Sequence, residues 1–101
     1  MNTAAKGNRA ERFVAHWLED RGWLVASRRH IGGAADLLAV HPDDGATWLI
    51  EVKAAKDLYQ QFRRADRLAM KETPLPASGE RWVVNVRGKE LQWVPESSWP
   101  T

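Results

Sequence analysis

Residues 34–53, AADLLAVHPDDGATWLIEVK, decide how this chain is read. Two short apolar runs, Leu37-Leu38-Ala39-Val40 and Trp48-Leu49-Ile50, flank the turn formers His41-Pro42-Asp43-Asp44-Gly45, and the pattern predicts a β-hairpin. Side chains alternate along a strand, so Glu51 and Lys53 share one face while Trp48, Ile50 and Val52 share the other. Two registers are open. With the turn centred between Asp43 and Asp44, Asp36 stands opposite Glu51; centred on Asp44-Gly45, it stands opposite Lys53. Either register gathers two carboxylates and an ammonium at the open end of the hairpin, and no packing demand accounts for that cluster.

The surroundings of this hairpin are those of one small domain spanning residues 1–101, with 44% hydrophobic and 28% charged residues. No apolar run approaches the roughly 18 residues of a membrane span and no signal-peptide core is present, so a cytoplasmic protein without a membrane partner is expected. The absence of cysteine excludes disulfides, thiolate metal sites and cysteine nucleophiles. His16, His30 and His41 are scattered and do not suggest an imidazole metal site. A net charge of +2 does not by itself argue for nucleic acid, but the basic residues are mostly arginine. They cluster at Arg28-Arg29-His30 and at Arg63-Arg64 with Arg67, either as solvated surface or as forked phosphate contacts. Six tryptophans supply core and, for some of them, an interface.

Read outward, Met1–Gly7 is expected as a loose arm and Asn8–Arg21 as a helix, with Ala10, Phe13, Val14, Trp17 and Leu18 on one stripe and Gly22 ending it. Glu11 borders that stripe. It either leans toward the sheet or closes a capping box with Asn8. Trp23–Ser27 reads as a strand and Arg28–Ala34 as a loop in which Gly32-Gly33 permits close approach of a ligand. After the hairpin, Asp57–Glu72 reads as one helix, N-capped by Asp57, with Leu58, Phe62, Ala65 and Ala69 inward and Gln60, Arg63, Arg64, Arg67 and Lys71 outward. Thr73-Pro74-Leu75-Pro76 stops it. Arg81–Val86 and Glu90–Val94 form two strands about Arg87-Gly88-Lys89, and a tail from Pro95 to Thr101 is anchored by Trp99. The order α-β-β-β-α-β-β predicts an α/β fold, a mixed central sheet flanked by helices, in which the third and fourth strands are parallel across a right-handed crossover.

Asp36 is costly at the edge of an apolar strand unless it is paired or binds a cation, and Glu51 beside it adds like-charge repulsion. Lys53 compensates this in a plain salt-bridge cluster. The sharper alternative is a divalent ion, Mg²⁺ with Mn²⁺ as a possible substitute, held by carboxylates and completed by waters and phosphate oxygens. Such a site lowers the pKa of a bound water and binds a phosphodiester, with Lys53 stabilising the charge that develops on it.

Asp36, then fourteen residues, then Glu51-Val52-Lys53, with hydrophobic strands around both, resembles the PD-(D/E)XK nuclease superfamily. Within it the chain is most similar to the archaeal-type Holliday junction resolvases, which also occur in phages. Lys6-Gly7, Glu11-Arg12, Gly22-Trp23 and Gly33-Ala34-Ala35-Asp36 follow that order over about residues 6–64. Ala35 stands where the motif's name has proline, and the loop before Asp36 lacks the serine that resolvases usually carry. The resemblance implies a restriction-endonuclease-like core and a magnesium-dependent endonuclease in which Glu11, Asp36 and Glu51 are catalytic acids. Together with the Val52 carbonyl these acids hold the metal, and Lys53 is the catalytic lysine. It implies a homodimer that nicks four-way DNA junctions symmetrically, with Lys6, Arg28, Arg29, His30, Gly33, Lys56, Gln60, Gln61 and Arg64 as candidate DNA contacts. A repair, restriction-like or flap nuclease, and a DNA-binding module without activity, are the alternatives to be separated.

Overall fold

Leu37 pairs with Ile50, Leu38 with Leu49, Ala39 with Trp48 and Val40 with Thr47, so the hairpin adopts the register centred between Asp43 and Asp44. Its turn is closed by the His41 N–H donating to the Ala46 carbonyl and the Gly45 N–H to the His41 carbonyl, both at 2.8 Å. Gly45 takes φ +73°, a backbone shape that a side chain would oppose, and the Asp44 carboxylate accepts the Ala46 N–H at 2.9 Å.

The computed structural model describes residues 3–27 and 35–101, with side chains from Asn8 onward. Five strands, β1 (Leu24–Ser27), β2 (Leu37–Val40), β3 (Thr47–Lys53), β4 (Gly79–Arg87) and β5 (Glu90–Pro95), lie in that order in one sheet. Neighbours are antiparallel except β3 and β4, which are parallel as the crossover requires. The helices are α1 (Thr3–Glu19), α2 (Leu58–Gln61) and α3 (Arg64–Glu72), and a 3-10 turn covers Glu96–Ser98. The chain is an α/β protein with a mixed sheet. Among the described residues no helix is long and apolar enough to cross a membrane.

Strand alternation divides the apolar residues between two layers. On one face Ala10, Val14 and Leu18 of α1 pack on Leu37, Ala39, Ile50, Val52 and Val84. Beside them Trp48 stacks at 4.5 Å on Trp23 and 4.9 Å on Trp82, and Trp93 reaches both Trp48 and Trp17. Pairs of this geometry add about 0.5–1.5 kcal/mol each beyond their buried area. On the other face Phe62, Met70 and Trp99 pack on Ala35, Leu49 and Val83. Trp99 anchors the tail as expected, edge-on to Phe62 at 4.8 Å with its indole N–H donating to the Val94 carbonyl at 3.1 Å.

Three expectations are corrected. Helix α1 starts at Thr3, within the supposed arm, because Thr3-Ala4-Ala5-Lys6 offers good helix formers to a helix already docked further along. Asn8 therefore lies inside the helix and cannot cap it. The predicted helix Asp57–Glu72 is two helices: Phe62 leaves helical geometry at φ −97°, ψ 81° to enter the core, and Arg63 restarts the chain with its N–H on the Asp66 carboxylate at 3.1 Å. Asp57 holds the N-cap position of α2 but makes no side-chain capping bond. The break also resets the helical phase, so Arg67 and Met70 face inward while Ala65 and Ala69 are exposed. Arg67 is thus no surface cation; its guanidinium donates to the Phe62 carbonyl at 2.7 Å and lies over the Tyr59 ring.

Helix α3 ends on Arg81 of β4, which donates to the carbonyls of Met70 at 2.6 Å and Thr73 at 2.5 Å. The Met70 carbonyl also accepts the C-cap N–H of Thr73 at 3.2 Å, and charge-assisted bonds to such terminal carbonyls are the strong kind. Arg81→Met is expected to lower unfolding stability by about 2 kcal/mol in urea titration. An unchanged midpoint would show that water satisfies those carbonyls equally well.

Candidate active site

The C-terminal half of β3, from Glu51 to Lys53, extends past the end of β2 and is paired with β4 on its other side. Its outward turn of alternation places Glu51 beside Val83 and Lys53 beside Asn85, on the α2–α3 face of the sheet. Asp36 precedes β2 by one residue. Its N–H donates to the Ile50 carbonyl at 3.0 Å, which continues the ladder, and its Oδ2 accepts the Val52 N–H at 2.8 Å. The carboxylate thereby substitutes for a backbone carbonyl where β2 has run out.

This bond fixes Asp36 next to Glu51, and the two side chains are hydrogen-bonded to each other. Glu51 is buried, and Lys53 Nζ lies 3.9 Å from its Oε2. Burial pushes the Glu51 carboxyl up to about 9; the hydrogen bond and the charge of Asp36 push the same way, and Lys53 opposes them only in part. Asp66, in the first turn of α3, contributes a further like charge. A Glu51 carboxyl raised this far keeps its proton at neutral pH, and the lysine beside it does not reverse that. A divalent cation takes oxygen ligands of this kind, one or two protein carboxylates with the rest from water and substrate, so the donor set fits Mg²⁺.

The structure brings Asp36, Glu51, Val52 and Lys53 together. Glu11 is half-buried on α1, in the middle of the helix rather than in its first turn. Among the described residues no three acids or histidines converge on one point that could hold a metal ion, so Glu11 does not complete a three-acid group here. Lys56, Gln60, Gln61 and Arg64 are exposed on the segment that follows β3. The side chain of Lys6, and Arg28, Arg29, His30 and Gly33, lie outside the described residues.

Two residues escaped the sequence reading. Asp66 was masked by its helical context. Asn85 carried a signal, a single amide inside the apolar run Val83-Val84-Asn85-Val86, and it is buried with both amide atoms hydrogen-bonded to Ala55. No protein-family model matches the chain, and no curated protein compared with it matches either.

Proposed function

We propose that the chain is a Mg²⁺-dependent endodeoxyribonuclease that resolves four-way DNA junctions by paired symmetrical nicks. The observation that carries the reading is the buried Glu51 carboxyl beside half-buried Asp36, with Lys53 next to them, an arrangement that has no packing purpose. Asp36, Glu51 and the Val52 carbonyl would hold the metal. Bound there, Mg²⁺ supplies charge neutralisation at the phosphate and a water acidic enough to attack near neutral pH.

The remaining work falls to the chain's own groups. The Lys53 side chain is three-quarters covered and shares the face of Glu51, so its ammonium would stabilise charge that accumulates on a phosphate oxygen held there. Asp36, by accepting the Val52 N–H, keeps its second oxygen free for Glu51 or a ligand. Exposed Lys56, Gln60, Gln61 and Arg64 follow directly on β3 and supply backbone contacts along the duplex arm. Lys6, Arg28, Arg29, His30 and Gly33 are assigned to the same role. A homodimer would offer two such sites, matching the two-fold symmetry of a junction.

The test is incubation with Mg²⁺ and a labelled four-way junction beside flap, single-stranded and duplex DNA of matched sequence. Symmetrical nicks confined to the junction support the reading. Equal cutting of flap or duplex would retain the site and replace the substrate, and tight binding without cutting in Mg²⁺ or Mn²⁺ would leave a binding module.

Lys53→Met is expected to slow single-turnover cleavage by on the order of 10²–10³-fold while the protein melts as before, since the ion pair it removes is long. Cleavage at the wild-type rate would reduce Lys53 to a partner that merely balances Glu51.

A further inference from the structure

We infer that Asn85 is a positioning residue of this site: its buried amide clamps the exit of β3 through Ala55 and so holds Lys53 and Lys56 in place. The inference rests on the nuclease reading above. Asn85 stands beside Lys53 in the parallel register, and it is 3% exposed. A primary amide in that position destabilises the sheet unless every polar atom is matched.

Both are matched on one residue. The Ala55 N–H donates to Asn85 Oδ1 at 2.9 Å, and Asn85 Nδ2 donates to the Ala55 carbonyl at 2.9 Å. The Ala55 backbone supplies one donor and one acceptor, which fixes the orientation of the amide. The backbone ladder of β3 ends at Lys53, and the Asn85 side chain then acts as one more peptide unit of the neighbouring strand. Arg87 reinforces the clamp from outside, donating to the carbonyls of Ala55 at 3.0 Å and Lys56 at 3.1 Å. The segment from Val52 to Ala55 is therefore held on opposite edges by two side chains, Asp36 on the Val52 N–H and Asn85 on Ala55. Lys53 lies between these two holds. Its side chain is long and flexible, so the place of its ammonium depends on how firmly its backbone is fixed.

Asn85→Asp removes the Nδ2 donor and sets a charge against the Ala55 carbonyl; Asn85→Leu keeps the branched shape and removes both bonds. Each is expected to lower kcat on DNA by about 100-fold, the scale of a misplacement near 1 Å, with KM changed by less than about 3-fold. Arg87→Met, at an exposed position, is expected to lose about 10-fold in kcat and carries the test if the Asn85 variants do not fold. Leu91→Ala, in the layer on the opposite face of the sheet, is the control: it costs stability and leaves kcat unchanged.

Two readouts need no cleavage. In the wild type the Ala55 amide is expected to exchange slowly and the Lys53 ε-methylene protons to be inequivalent in NMR; in the Asn85 and Arg87 variants exchange should accelerate and the two proton signals should merge. Unchanged kcat in the variants, or a loss that Leu91→Ala reproduces, overturns the positioning role while the nuclease reading stands. If the wild type cuts no DNA the nuclease reading fails, and merged Lys53 signals still support the clamp whereas unaltered ones overturn it.

Discussion

Asp36→Asn is expected to reduce junction cleavage by on the order of 10³-fold or more while DNA binding and folding persist. The substitution is nearly isosteric. Its Oδ1 can keep the Val52 N–H bond that Asp36 makes at 2.8 Å, and its amide N–H can donate to Glu51 where a proton is now shared. What it removes is the anionic oxygen that a divalent cation requires, since a neutral amide oxygen is a weaker ligand and one charge is missing from the site. Binding measured in Ca²⁺ or without divalent ions should stay within about threefold, because phosphate contacts come from the basic residues rather than the acids. Cleavage by Asp36→Asn at even a tenth of the wild-type rate would remove Asp36 from the metal site and return the cluster to a structural salt bridge.

The part of this site that could be read from sequence is the part built by local rules. A hairpin follows from turn formers between alternating apolar runs, and Glu51 and Lys53 share a face by the period of a strand. Which residue stands opposite Asp36 was not decided, because both turn centrings use acceptable residues. The register with Leu37 on Ile50 was chosen by a bond between a side chain and a backbone, Asp36 to Val52, to which hydrophobic alternation is blind. The helix break at Phe62 is likewise set from a distance. Leu58, Phe62, Ala65 and Ala69 repeat at helical spacing, yet Phe62 is drawn inward to meet Trp99 at the far end of the chain, and the helix restarts on Asp66. Arg67 was read as surface because it is charged; the carbonyl freed at that break, on Phe62, is what lets it be buried. Asn85 shows the reverse case. A polar residue in an apolar strand was visible, but its partner Ala55 has no side-chain chemistry to announce it.

Glu51→Gln should make the metal-free protein more stable at neutral pH, and divalent cation should reverse that order. In the folded chain the Glu51 carboxyl is raised from the ordinary value of 4.5 to about 9, chiefly by burial. A group whose folded value lies above its unfolded value binds its proton more tightly when folded, so its stabilising contribution is complete below about pH 4.5 and is lost as pH rises toward 9. At pH 7 the unfolded chain has released that proton and the folded chain still holds it, a difference on the order of 3 kcal/mol against folding. Glutamine keeps the donor toward Asp36 and has no proton to lose, so the melting curve of the variant should be flat over this range where the wild type falls. Mg²⁺ favours the ionised pair and stabilises whatever folded state binds it, so it should raise the wild-type melting temperature at pH 7 and leave Glu51→Gln nearly unmoved. The two halves of the experiment test different statements. Parallel pH curves for the two proteins would mean that Glu51 is ionised and paired by Lys53 without metal; an equal Mg²⁺ response would mean that the cation binds somewhere other than at this pair of carboxylates.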